Sequence, residues 1–145
     1  MHPTAVDIGA FLRSATPDGK IQGYPPSLLS AGTDYGDAFS VVGARSCMLT
    51  VSTGAATGTP ATQKATVSLE SAPPGASPTW VTVENSTVDL TADETSDEVD
   101  LNLTRLPSGH TQLRCKVVTV FTGGSSPKQY VAASVTLGGF STLPV

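Results

Sequence analysis

Apolar and polar residues alternate along most of the chain with a period of two. The clearest case is segment 99–104, in which Val99, Leu101 and Leu103 are separated by polar residues. This period is typical of a β-strand that buries one face and exposes the other. The same pattern predicts five more strands, over 46–52, 66–70, 80–84, 113–121 and 131–137.

Clusters of glycine, proline and serine bound the predicted strands, as expected for turns. Short strands joined by short loops favour an antiparallel β-sandwich, with either an immunoglobulin-like or a jelly-roll topology. Segments 111–122 and 129–137 flank the sequence Gly-Gly-Ser-Ser-Pro, so we expect them to pair as a hairpin. No long window has the period of a helix, and the predicted fold class is therefore all-β.

The first 36 residues differ from the rest, because prolines and glycines interrupt them repeatedly. We predict an irregular or extended N-terminal arm over 1–36 and a sandwich domain over 37–145, which we expect to fold without the arm. The arm is too apolar for a solvated linker, so we expect it to pack on its own domain or on a neighbouring protein. Its candidate partner-binding residues are Phe11, Leu12, Ile21, Tyr24, Leu28, Leu29 and Tyr35.

The composition supports one domain rich in strands. The chain has 145 residues, of which 20 are Thr and 16 are Ser, and only 14% are charged. A net charge of −4 argues against a nucleic-acid partner. No apolar run reaches the roughly 18 to 20 residues of a membrane helix. The first ten residues lack the basic and apolar regions of a signal peptide, so we expect synthesis in the cytosol.

Nothing in the sequence predicts catalysis or a cofactor. Cys47 and Cys115 have the spacing of an immunoglobulin disulfide, but Leu113 stands where the tyrosine of that fold would be. In a reducing cytosol we interpret both cysteines as small buried hydrophobic residues. The two histidines lie far apart, and neither adjoins a nucleophile motif or completes a metal site. We interpret His110 as a turn residue, and we expect no enzymatic activity.

Acidic residues concentrate in one stretch. Seven of the twelve lie between Glu84 and Asp100, a stretch without Lys or Arg. One interpretation is a weak Ca²⁺ site in a loop at 93–98, because carboxylates suit hard cations. We favour a solvated loop whose charge prevents edge pairing. Docking to a basic surface of a partner is a third interpretation that the sequence does not separate from the second.

Several blocks of the chain follow a recognisable order. Residues 48–59 read Met-Leu-Thr-Val-Ser-Thr-Gly-Ala-Ala-Thr-Gly-Thr, and residues 113–124 read Leu-Arg-Cys-Lys-Val-Val-Thr-Val-Phe-Thr-Gly-Gly, followed by Ser126-Pro127. Between them stand Ala-Thr-Val-Ser-Leu-Glu-Ser at 65–71 and Val-Asp-Leu-Asn-Leu at 99–103. Together with the ending at 135–145, these blocks resemble small structural proteins of tailed-bacteriophage virions. The acidic stretch and residues 1–40 lie outside that resemblance.

The resemblance implies a non-enzymatic virion component, namely a capsid decoration (cement) protein that stabilises the shell by binding the major capsid protein. It implies synthesis in the host bacterial cytoplasm and a final location on the capsid surface. Copies of the chain at the three-fold positions of a shell would form a homotrimer. A place in the tail or neck is an alternative.

A secreted carbohydrate-binding or adhesin sandwich is an alternative from another class. It requires exposed aromatic side chains on one face of a sheet. The only tryptophan is Trp80, and we expect it to lie in the core.

Overall fold

The all-β sandwich predicted from the alternation is confirmed. A computed structural model describes residues 12–140, which form two antiparallel sheets packed face to face. Sheet 1 has the strand order β1 (Gly23–Leu29), β10 (Lys128–Gly138), β4 (Ser46–Thr57) and β8 (Ser96–Asn102). In sheet 2, β9 (Gln112–Thr122) pairs with β5 (Thr62–Ala72) at the centre. On one side, β2 (Gly32–Tyr35) and β3 (Phe39–Ser40) pair with β9. On the other side, β6 (Val81–Thr82) and β7 (Val88–Leu90) pair with β5.

The core lies between the two sheets and is built from every second residue of the long strands. Leu49 and Val51 of β4 face Leu69 of β5 and Val117 of β9 across the sandwich, and all four are 0% exposed. Full burial of one such side chain contributes roughly 1.5 to 3 kcal/mol. The period of two therefore identifies the buried face correctly along these strands.

The pairing of β4, β5, β8 and β9 is that of an immunoglobulin-type sandwich. β4 pairs with β8 in sheet 1, and β5 pairs with β9 in sheet 2, as strands B and E and strands C and F do in that fold. The flanking strands depart from it, because β10 lies beside β4 and not beside β9.

The predicted hairpin of residues 111–122 and 129–137 is wrong. β9 belongs to sheet 2 and β10 to sheet 1, so the loop between them crosses from one sheet to the other. The β4–β5 loop makes the same crossing beside it, and the Ser125 amide donates to the Gly58 carbonyl oxygen at 2.8 Å. Alternation indicates which face of a strand is buried, but it does not indicate the neighbouring strand.

The N-terminal segment is extended where it is described, and it is part of both sheets. β1 pairs with β10 and β2 pairs with β9, so the predicted boundary at residue 36 falls inside the sandwich. Removal of residues 1–36 would take one edge strand from each sheet. The register shifts between Tyr24 and Ser27, where Pro25 and Pro26 stand. Prolines are tolerated there because β1 is an edge strand.

We expect Gly58→Ala to destabilise the fold by about 2 to 3 kcal/mol. The residue has φ +79°, and a Cβ would lie 2.3 Å from the Ser125 carbonyl oxygen. Strain in the left-handed region alone costs about 1 to 2 kcal/mol, and the clash must add to it. Urea unfolding monitored by Trp80 fluorescence measures the change.

Gly109→Ala is the matched control. Gly109 has φ +83° but no atom within 4 Å of a Cβ, so only the backbone strain applies and we expect a loss of about 1 kcal/mol. Equal losses at the two glycines would show that the close approach of the crossing loops contributes nothing.

Candidate docking surfaces

The predicted partner-binding residues do not lie on one surface. Phe11 lies outside the described residues. Tyr24 is a core residue, 3% exposed, and its hydroxyl donates to Asp34 Oδ2 at 2.6 Å. Leu29 is half-buried and packs against the core. Because the Tyr24 side chain points inward from β1, it offers no surface to a partner.

Three of the predicted residues line the outer side of sheet 1. Leu12, Ile21 and Leu28 are each about 40% exposed. Leu28 lies opposite Tyr130 of β10, which is 51% exposed and was not predicted. With the exposed Pro26 beside Ile21, these residues form what we call the apolar rim: Leu12, Ile21, Pro26, Leu28 and Tyr130.

The floor beside the apolar rim consists of small uncharged side chains. The register of β4 with β10 places Thr50 opposite Ser134 and Ser52 opposite Ala132, all pointing away from the core. These hydroxyl and methyl groups line a shallow, uncharged depression beside Ile21 and Pro26, which is cheap to desolvate compared with a charged surface. The outer face of sheet 1 therefore combines exposed apolar area with an uncharged floor, as protein-docking surfaces do.

The far edge of sheet 1 is acidic. Residues 96–98, predicted to lie in a loop, begin strand β8, which pairs only with β4. Asp97, Glu98 and Asp100 on this strand form what we call the acidic edge. All eight Lys and Arg lie in the described residues, and none forms an ion pair with these three acids.

Two further acids of the stretch, Asp89 and Asp93, have partners within the sandwich. Asp89 forms an ion pair with Lys64 at 3.2 Å. Asp93 Oδ1 accepts from the Ala56 amide at 3.0 Å and from the side-chain amides of Gln63 and Gln129. Asp93 thereby ties the β7–β8 loop to three strands. Among residues 12–140 there is no group of three or more His, Cys, Asp and Glu side chains that could hold a metal.

The outer face of sheet 2 carries an aromatic stack around Arg114. The guanidinium carbon lies 4.1 Å from the ring centre of Tyr35 and 4.3 Å from that of Trp80. Nε and Nη2 of Arg114 also donate to Glu70 Oε2, at 2.8 and 2.7 Å. Three groups therefore hold the guanidinium, namely two rings and one carboxylate, and cation–π contacts of this kind each contribute roughly 0.5 to 2 kcal/mol.

The prediction that Trp80 lies in the core is wrong. Trp80 is half-buried and belongs to the outer face of sheet 2, and Tyr35 beside it is 44% exposed. Lys116 follows Arg114 on the same face and forms no ion pair with a carboxylate of residues 12–140. This face therefore presents two aromatic rings and one uncompensated cation.

His110 forms a pair with Ser71 that the sequence did not predict. Ser71 Oγ lies 2.8 Å from His110 Nδ1, the contact of a nucleophile and its base. However, Ser71 is 1% exposed and points into the core beside Leu113. No substrate reaches that hydroxyl, so we interpret the pair as a hydrogen bond that joins the 107–111 loop to β5.

Both cysteines face the core from opposite sheets, Cys47 on β4 and Cys115 on β9, and both are free thiols. Burial raises the pKa of each thiol to about 12. Because the thiolate is the reactive form, these cysteines are inert at neutral pH.

Comparisons with known proteins give little. No protein-family model and no curated protein matches the chain. Among solved structures, that of Desmodium yellow mottle tymovirus is similar with 11% identity, over 84% of this chain and 93% of that chain, at a TM-score of 0.30. A TM-score of this size does not establish a common fold. Among residues 12–140, no helix is long and apolar enough to cross a membrane.

We expect Arg114→Ala to destabilise the protein by about 2 to 4 kcal/mol. The change leaves Glu70, whose side chain is 9% exposed, without its cation, and losing one partner of a largely buried pair is costly. It also removes the group between the two rings. Urea unfolding gives the free energy, and the emission maximum of Trp80 reports the stack.

Lys116→Ala is the control for that variant, because it lies on the same face of the same strand without an ion pair. We expect it to change stability by less than about 0.5 kcal/mol. If Arg114→Ala leaves both the stability and the Trp80 emission unchanged, the stack does not hold this face together.

We expect the free energy of unfolding to fall as the pH rises from about 9 to about 12. Each thiol ionises near pH 9 in the unfolded chain but only near 12 when folded, so alkali favours the unfolded state. The loss is at most about 1.4 kcal/mol per pH unit for each thiol. Urea unfolding across this pH range measures it.

The variant Cys47→Ala, Cys115→Ala should show a flatter profile over the same range. Burial also raises the pKa of Tyr24 to about 12, but that hydroxyl is present in both proteins and its effect cancels in the comparison. Identical slopes would mean that the thiols are not the groups that titrate.

Proposed function

We propose that this chain is a non-enzymatic structural protein of a tailed-bacteriophage virion, namely a capsid decoration protein that binds the major capsid protein. The observation that carries the proposal is the ordered resemblance of the blocks at 48–59, 65–71, 99–103 and 113–127. These blocks coincide with β4, β5, β8 and β9 and with the two crossing loops.

Two of the resembling blocks include the crossing loops, which contact each other in the structure. A Cβ on Gly124 would lie 2.5 Å from the Gly58 carbonyl oxygen, and one on Gly58 would lie 2.3 Å from the Ser125 carbonyl oxygen. The two glycine-containing blocks therefore belong to one contact, in which neither backbone leaves room for a side chain. Two such blocks in the correct order are a more specific signal than strand composition alone.

The apolar rim is the surface that we assign to the major capsid protein. Leu28 and Tyr130 are exposed on rigid strands, and an aromatic anchor beside an aliphatic one is typical of binding hot spots. The uncharged floor beside them can be covered at low cost. The protein would then act by adding contacts between shell subunits, with copies of itself as neighbours.

A carbohydrate-binding sandwich is a second candidate, because one observation now favours it. That class requires exposed aromatics on one face, and Tyr35 and Trp80 lie together on the outer face of sheet 2. Arg114 covers one face of each ring, however, which leaves less ring surface for a sugar. Glycan-array binding that Trp80→Ala abolishes would favour this candidate over the capsid protein.

We expect the double variant Leu28→Asp, Tyr130→Asp to bind capsid shells at least tenfold more weakly than the unchanged protein. Two carboxylates in the apolar rim must be desolvated on docking. Co-sedimentation with shells assembled from the major capsid protein of the source phage measures binding, and the thermal disruption temperature of those shells measures stabilisation.

Val42→Asp is the matched control, because Val42 is 66% exposed in the loop after β3, outside the apolar rim. We expect this variant to bind as the unchanged protein does. If the unchanged protein does not sediment with shells, the capsid role is wrong. If it does, and the rim variant binds equally well, another surface makes the contact.

A further inference from the structure

We propose that the acidic edge of one copy docks on the outer face of sheet 2 of a second copy, beside Lys116 and the aromatic stack. This inference rests on the proposed function, which requires neighbouring copies, and it identifies the two surfaces through which they meet. Both surfaces belong to the described residues, so their charges can be compared directly.

The acidic edge carries more charge than the protection of a strand edge requires. Asp97 lies opposite Val51, a core residue, and so points toward the buried side of the sheet. An inward-pointing charge on an edge strand already prevents unwanted pairing. Glu98 and Asp100 lie opposite Thr50 and Met48 and point outward, with no cation of their own chain within 4 Å.

The outer face of sheet 2 has the complementary charge. Its two acids, Glu70 and Asp89, are neutralised by Arg114 and Lys64. Lys116 remains as the uncompensated cation, opposite Tyr35 on one side and Ser68 on the other. In a protein with a net charge of −4, a cation beside an aromatic ring is a specific target for carboxylates.

The aromatic stack supplies the part of the contact that charge does not. Trp, Tyr and Arg are the residues most enriched at binding hot spots. Arg114 is held by Glu70 and by both rings, so little side-chain entropy is lost when a partner covers it. The ends of the guanidinium that do not bind Glu70 remain as donors to an incoming carboxylate.

The two surfaces belong to different sheets, so the contact between copies is head-to-tail. Glu98 and Asp100 project from the outer side of sheet 1 at its β8 edge, whereas Lys116 and Arg114 project from the outer side of sheet 2. A head-to-tail contact forms a ring where its rotation closes and a filament where it does not. The apolar rim is used by neither surface.

The size of the contact predicts that a single pair is weak. β8 has seven residues and is about 23 Å long, so one such edge buries less than the about 800 Å² per partner of a stable complex. A head-to-tail contact uses two different surfaces, so each copy within an assembly makes two such contacts, which strengthens it without new residues. We therefore expect association that depends steeply on concentration and weakens with salt.

Light scattering and sedimentation velocity of the purified protein, from micromolar to millimolar concentration, test the proposal. Lys116→Glu and the pair Glu98→Lys, Asp100→Lys should each weaken association at least tenfold. The protein that combines all three changes should associate again, because the charges are exchanged and not removed. Thermal unfolding verifies that every variant is folded.

Glu84→Lys is the matched control, since Glu84 is exposed in the same acidic stretch but lies outside β8, and it should associate normally. A protein that stays monomeric at millimolar concentration overturns the proposal, and so does association that the charge reversals leave unchanged. Shell binding by the apolar rim is a separate measurement, so either proposal can fail while the other stands.

Discussion

The structure depends on the burial of two alternating strand faces against each other. Leu49, Leu69, Val117 and Val135 lose all contact with water, and hydrophobic transfer of such side chains is the dominant favourable term in folding. Because β4–β5 and β9–β10 cross between the sheets, neither sheet can be completed without the other. The close backbone contact between Gly58 and Ser125 follows from that constraint, since two connections must cross the same gap side by side.

The part of the fold that follows from alternation could be predicted from the sequence, and the part that depends on pairing could not. All six predicted strands exist, since a period of two identifies a buried face wherever it occurs. The same period does not indicate which strands are neighbours, so it does not separate a β9–β10 hairpin from a connection between two sheets. β1 was missed because Pro25 and Pro26 resemble a break, whereas an edge strand needs fewer of its amide donors.

The candidate surfaces were harder to predict than the core. The apolar content of the N-terminal segment predicts contact residues there, but it does not indicate which side chains point inward. The buried Tyr24 and the exposed Leu28 are therefore not distinguished by the sequence. Tyr130 lies outside the N-terminal segment, and an outward position on a regular strand carries no signal that marks it as a contact residue. Ser71 and His110 are 39 positions apart, and only the packing of the 107–111 loop on β5 brings them together.

The outward positions carry the information about function, because packing places no demand on them. Many are Thr, Ser or Val, which merely suit a strand. Arg114 and Trp80 are exceptions: a guanidinium and the only indole of the chain lie against each other on the outer face of sheet 2. Their contact joins residues far apart in sequence, so no local motif could contain it. The side chains that the core does not use are divided between the two outer faces of the sandwich, with Leu28 and Tyr130 on sheet 1 and Tyr35, Trp80 and Arg114 on sheet 2. The apolar rim on sheet 1 and the aromatic stack on sheet 2 are therefore the places where both proposed contacts are tested.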